Sequence, residues 1–132
     1  MPEPRTQSLI VDAANVVGSR PNGWWRDRAG AARRLAERLT AADLPYDEVV
    51  LVLEGAARPG VPAGQDGRVR CIHAPGSGDK RIVEAAHGRA AGGWAVTVVT
   101  ADRELKSRVE AVGARTTGPS WLLERIERVD RP

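Results

Sequence analysis

The sequence predicts an α/β domain: a single parallel sheet of about five strands flanked by helices in a Rossmann-like, three-layer arrangement. Three observations predict it. Short apolar, β-branched runs alternate with amphipathic helical stretches over most of the 132 residues. Two of the runs, SLIVDAANVV (residues 8–17) and VTVVTADREL (residues 96–105), drive straight into an aspartate, Asp12 and Asp102. Glycine- and proline-rich segments punctuate the pattern where a chain must turn. One domain is expected over residues 1–132, with its core over about residues 8–128.

Strands are expected at residues 9–12, 48–53, 68–73, 95–100 and 114–117. No helix is expected until well after the first of them. The first helix, residues 28–42, sets Ala31, Ala32, Leu35 and Leu39 on one stripe and turns Arg33, Arg34, Glu37 and Arg38 outward, so it covers one sheet face. A loop at residues 57–67 follows the second strand, and APGSG (residues 74–78) leads into the second helix, residues 79–91. That helix has Ile82, Val83, Ala86 and Ala90 as its apolar stripe. The third, residues 103–112, buries Leu105, Val109 and Val112 and closes at Gly113. A fourth opens after Gly118, with Pro119 in a first turn that tolerates its missing N–H, and buries Trp121, Leu122 and Ile126. Trp94 and Trp121 read as core.

Composition narrows the function. The formal net charge is +3 and the isoelectric point about 9.7, yet of 20 basic residues only Lys80 and Lys106 are lysines. Guanidinium groups fork onto phosphate oxygens, which leans toward nucleic acid, although a GC-rich genome also enriches arginine, alanine and glycine. The single cysteine, Cys71, lies in an apolar run; it excludes a disulfide framework and a thiolate zinc site within one chain and fits a reducing compartment. No apolar run approaches the roughly 18 residues of a membrane span, and the N-terminus is polar rather than signal-like. A cytoplasmic protein with no membrane partner is expected.

The candidate chemistry belongs to carboxylates. Ligands of an open parallel sheet bind beyond the carboxyl ends of its strands, where Asp12, Glu54 and Asp102 are placed. Asp79, three and four residues before Ile82 and Val83, shares their buried stripe and turns to the same edge. Four carboxylates on one mouth raise one another's pKa unless a hard cation neutralises them, and oxygen-only donors suit Mg2+ or Mn2+. Such an ion deprotonates water and stabilises charge building on a phosphodiester. Plainer readings stand beside this one. Asp102 fits an N-cap of the third helix, and Asp79 fits a cap in competition with Ser77. Asp12 has no such role if no helix follows it, and this tips the balance toward a site. His73 and His87 are isolated, and no metal role is expected of them. APGSGD lacks the lysine and hydroxyl pair of a phosphate-binding loop, which disfavours nucleotide hydrolysis. An aspartyl-phosphate phosphatase needs a second aspartate where Ala14 stands.

LIVDAANVVGS, SGDKRIVEAA and VVTADREL, in this order and spacing, resemble the NYN branch of the PIN-like ribonucleases, close to the bacterial YacP-like group. The resemblance covers about residues 9–126. It implies a parallel sheet between helices and a metal-dependent ribonuclease acting as an endonuclease. It also implies that Asp12, Asp79 and Asp102 hold Mg2+ or Mn2+, with Asn15 matching the asparagine of the first motif. The family often carries one more acidic residue, for which Glu54 and Glu84 stand in. Glu54 ends a strand but also lies near Arg58 in sequence; Glu84 sits about 140 degrees around the helix from Asp79 and so faces solvent.

RPNGWWRDR (residues 20–28) sets two tryptophans among arginines. Single-stranded RNA is held by stacking and by arginine contacts to phosphate, so Trp24, Trp25, Arg26 and Arg28 are candidates for a substrate rim. Lys80, Arg81 and Arg103 flank the carboxylates as candidate phosphate contacts. The plainer reading packs at least one tryptophan under the first helix and leaves the basic residues in solvated first turns. RNA, single-stranded, is thus the expected partner, with a ribosome or another protein as a conceivable recruiter; oligomeric state is not legible. The rival class is a catalytically weak or inactive RNA-binding module on the same fold, and cleavage that stops with EDTA separates the two.

Overall fold

Valine, isoleucine and leucine occupy both faces of the central strands, as a sheet covered on both sides requires. The computed structural model describes residues 5–127, so residue 128 of the expected core lies outside the described residues. In chain order the elements are β1 (Gln7–Asp12), α1 (Ala13–Gly18), α2 (Arg28–Ala42), β2 (Glu48–Leu53), β3 (Gly64–Asp66), β4 (Val69–His73), α3 (Gly78–Ala91), β5 (Ala95–Val99), α4 (Arg103–Ala111), β6 (Arg115–Thr117) and α5 (Pro119–Glu127). Short 3-10 segments lie at Trp24–Arg26 and Gly55–Gly60. The strand order is β3-β4-β2-β1-β5-β6. Every neighbouring pair is parallel except β3 with β4.

Alternation divides the core. Leu9 and Val11 of β1, with Val49, Leu51 and Leu53 of β2, pack against Val16, Leu35, Leu39, Leu122 and Ile126 from α1, α2 and α5. Ile10, Val50, Val52, Val96 and Val98 face the other way, onto Ile82, Ala86, Leu105 and Val109 from α3 and α4. The chain runs outward from β1 through β2 to β4, then returns to pair β5 on the far side of β1. The strand order therefore reverses between β1 and β5, and a crevice opens at their carboxyl ends.

At the opposite end of the strands a polar clamp closes the sheet. Ser8, fully buried, donates its hydroxyl to Glu48 Oε1 at 3.0 Å. Arg89 of α3 donates Nε to the same oxygen at 2.6 Å and Nη2 to Oε2 at 3.2 Å. Partial burial pushes the Glu48 carboxyl up, and the bonds from Arg89 and Ser8 with the charges of Arg89 and Arg70 outweigh it, holding the group below the ordinary carboxylate range.

Three expectations change. The sheet has six strands, not about five: β3 is a polar, three-residue antiparallel edge, too short to show an alternation, inside the segment expected to be loop. A six-residue helix, α1, follows β1 at once, because Asp12 caps it and the burial of Ala13 and Val16 outweighs the poor helix propensity of its valines. Trp94 and Trp121 lie partly buried at the margins of the core, where an indole keeps one edge in water. Trp121 is covered by the Arg125 guanidinium at 4.2 Å and meets Tyr46 edge-on. Among the described residues no helix is long and apolar enough to cross a membrane.

Glycine decides how the segment after β2 is seated. A Cβ on Gly60 would run into the carbonyl oxygen of Ala29, so this backbone lies directly on the start of α2. Gly60→Ala should cost about 1–3 kcal/mol through overpacking against immobile backbone. Gly88→Ala, in an open stretch of α3, should add about 0.5–1 kcal/mol through helix propensity. Urea denaturation of both variants checks the pair; equal effects would show that the Gly60 contact is not tight.

Candidate active site

β1 delivers Asp12 to the crevice between β1 and β5, and the side chain stays only 7 % exposed. Its Oδ1 accepts from the Asn15 N–H at 3.4 Å, capping α1, and its Oδ2 accepts from the Thr100 hydroxyl at 2.9 Å. The expectation that Asp12 has no capping role is thus overturned: the helix starts in the next residue. Yet an N-cap needs neither burial nor a second donor. Burial pushes the Asp12 carboxyl up to about 6; the bonds from Thr100 and Asn15 pull against this, and the charges of Asp79 and Glu54 add to it.

Thr100 links the two strand ends. Fully buried, it gives its hydroxyl hydrogen to Asp12 and accepts from the Asp102 N–H at 3.1 Å, while its own N–H bonds the Thr117 carbonyl of β6 at 3.0 Å. Asp102 caps α4, accepting from the Leu105 N–H at 3.0 Å. Asn15 Oδ1 accepts from the Ala101 N–H at 2.8 Å and so straps α1 to the loop that carries Asp102.

Asp79 is half-buried in the first turn of α3, whose cap is Ser77 through its hydroxyl at 3.3 Å from the Asp79 N–H. Burial raises the Asp79 carboxyl, the charges of Asp102 and Glu54 raise it further, Arg108 opposes them and Glu104 adds to them. Glu54 Oε2 accepts from the Gly78 N–H at 2.9 Å, fastening the end of β2 to the start of α3. Arg58, near Glu54 in sequence, donates Nε to the Gly55 carbonyl at 3.2 Å. Asp79 is thus near enough to feel the charges of Asp102 and Glu54, and Asp12 those of Asp79 and Glu54.

The remaining sites divide. Glu84 is exposed and pairs with Arg81 at 2.9 Å, which engages Arg81 away from the crevice; Lys80 and Arg103 are exposed. His73 meets the Val61 carbonyl at 2.7 Å and His87 is exposed on α3. Trp24 is half-buried under the Arg28 guanidinium, 4.9 Å from its ring centroid, whereas Trp25 is 52 % exposed with Arg26 over it at 5.8 Å. Trp24, Arg28, Ala13, Glu54, Arg58 and Pro75 line a cavity of about 460 Å³ beside the carboxylates. Thr100, Glu104 and Arg108 were not singled out by the sequence reading. The T-x-D pattern of VVTADREL was the signal for Thr100, and the four-residue spacing of Glu104 and Arg108 on α4 was the signal for the other two.

The donor chemistry fits a hard divalent ion: every group is a carboxylate oxygen. The arrangement is not closed, however; among the described residues no three carboxylate, histidine or cysteine side chains stand ready as a ligand set. Asp12, Asp102 and Glu54 each commit at least one oxygen to a donor of the protein itself.

Sheet order and crossover layers give a YacP-like α/β fold. The backbone is similar to that of Rae1 (YacP) from Bacillus subtilis, with a TM-score of 0.76 at 20% identity over 93% of this chain and 75% of that one. A tryptophan-to-leucine mutant of the same protein gives 0.73 at 21% identity over 94% of this chain and 76% of that one. No family model and no curated protein matches the sequence.

The raised Asp12 carboxyl has a consequence for stability. Folding lifts its pKa from 3.8 to about 6, so between those values the folded state binds more protons than the unfolded state, and stability falls as pH rises through that window. Asp12→Asn keeps one acceptor oxygen, enough for the α1 cap or for the Thr100 hydroxyl but not both, as the protonated carboxyl does, and it removes the buried charge. It should gain about 1–3 kcal/mol at pH 8 and nothing below pH 4. Urea denaturation at the two pH values checks this, and a loss at pH 8 would make Asp12 a structural ion.

Proposed function

We propose that this protein is a metal-dependent ribonuclease that cuts single-stranded RNA internally. The observation that carries the proposal is a buried carboxylate, Asp12, kept at the switch point of a YacP-like sheet within electrostatic reach of Asp79 and Glu54. Such a charge is costly unless a cation offsets it. The motifs that resemble the NYN branch of the PIN-like ribonucleases support the same reading. Asp12, Asp79 and Asp102 would hold Mg2+ or Mn2+, with Glu54 as a candidate further ligand. When bound, the ion would supply an acidified water and a counter-charge for the phosphodiester oxygens.

The chain's own residues prepare that site. Thr100 fixes the Asp12 carboxylate, and Asn15 is a positioning residue that holds the Ala101 loop, and through it Asp102, against α1. Lys80 and Arg103, exposed at the first turns of α3 and α4, meet phosphates on the flanks, and Trp24, Trp25, Arg26 and Arg28 form the rim for bases. Arg81 contributes only if it leaves Glu84. We place the protein in the cytoplasm, with RNA as substrate and a ribosome or other protein as a candidate recruiter. One observation favours a second reading, a binding module without chemistry: no three ligands are already assembled among the described residues.

Purified protein should cleave unstructured RNA with Mn2+ or Mg2+ and stop with EDTA. Asp12→Asn and Asp79→Asn should each lower the cleavage rate at least 100-fold while RNA binding in EDTA stays within about threefold. Gel analysis of end-labelled RNA checks both, and intact RNA after prolonged incubation with Mn2+ would leave the binding module.

A further inference from the structure

We infer that the cavity beside the carboxylates is a nucleobase pocket that takes one unstacked base of the RNA and thereby sets which phosphodiester reaches Asp12. The inference rests on the ribonuclease reading and adds a substrate subsite to it. The cavity holds about 460 Å³, within the range of small-ligand sites. It lies between α1, α2, the Gly55–Gly60 segment and residues 75–76, with mostly apolar walls that include Ala13, Ala57 and Pro75. Its polar groups are few and placed for a nucleotide. Trp24 and Arg28 line it together, the guanidinium lying over the indole at 4.9 Å, and the indole is held by a T-shaped contact with Trp25 at 6.1 Å between centroids. Bases of single-stranded RNA stack on such aromatic and guanidinium planes. Arg28 and Arg58, both exposed, give the pocket two cations for the phosphates on either side of the base.

Position makes the pocket part of the substrate path. Glu54 belongs both to its wall and to the carboxylate group, and Ala13 follows Asp12 directly. A base seated on Trp24 therefore brings its own backbone to the crevice. Trp25 and Arg26 lie outside this wall, so of the four rim residues Trp24 and Arg28 reach the pocket and the other two serve the RNA beyond it.

The test is binding without cleavage. A fluorescently labelled unstructured RNA of about ten nucleotides is titrated with protein in EDTA, together with a set of the same RNA carrying a single abasic site at each position in turn. Trp24→Leu should weaken binding of intact RNA at least tenfold, and Trp24→Phe, which keeps a ring, less than threefold. One abasic position should weaken binding to the native protein by a similar factor and add nothing to the loss in Trp24→Leu, since both changes remove the same stacking. Trp24→Leu binding intact RNA as well as the native protein, or losing as much again with every abasic RNA, would overturn the pocket. Circular dichroism and melting of both variants confirm that they fold; should Trp24→Leu not fold, Trp24→Phe combined with Arg28→Gln must still show the position-specific loss, and its absence overturns the inference. Cleavage is scored separately with Mn2+. A coupled Trp24 effect with no cleavage sinks the nuclease reading and keeps the pocket as a base-binding site; cleavage with no Trp24 effect sinks the pocket alone.

Discussion

One hydroxyl holds the acidic crevice together. Thr100 joins the end of β5 to the end of β1 by bonding Asp12 and to the start of α4 by accepting from Asp102, while its backbone joins β6. Buried polar groups are stable only when their bonding capacity is used, and here each partner uses the other's. The bond also competes with what it organises. It draws the Asp12 pKa downward against burial, leaving a carboxyl that titrates close to neutrality rather than one forced to stay protonated.

The central strand β1 carries polar clusters at both ends and only apolar side chains, Leu9 to Val11, between them. Glu48, Ser8 and Arg89 close the amino-terminal end as a satisfied ion pair; Asp12 and Thr100 occupy the carboxyl end with no cation beside Asp12. A buried and a partly buried carboxylate therefore behave oppositely. Glu48 has arginines and lies below its usual range, while Asp12 has only a hydroxyl and an amide and lies above it. The contrast sets the carboxyl end apart, because perturbed carboxyls cluster at functional sites.

Close backbone packing shapes the space next to that charge. The Gly55–Gly60 segment rests on α2 because Gly60 has no side chain, and the same segment walls the cavity with Trp24 and Pro75. A short helix, α1, completes it and carries the Asn15 strap. The rim, the crevice and the core of the first sheet face are thus one packed unit.

The five parallel strands, α2 through α5 and the placing of carboxylates at one end of the sheet were legible in the sequence, because alternation and helical stripes encode burial directly and strand ends in a parallel sheet point one way. Four features were decided by tertiary structure. The helix at Ala13–Gly18 exists because packing against the sheet outweighs its valines' preference for strand, and β3 exists because a neighbouring edge was free to pair with. The division of Trp24 from Trp25 is equally invisible in WWR, since neighbours in a tight turn point apart and only the fold says which direction is the cavity. Last is the engagement of the carboxylates themselves: residue type places an oxygen at a strand end, but which oxygen is already bonded depends on donors such as Gly78, Leu105 and Thr100 that arrive from elsewhere in the chain.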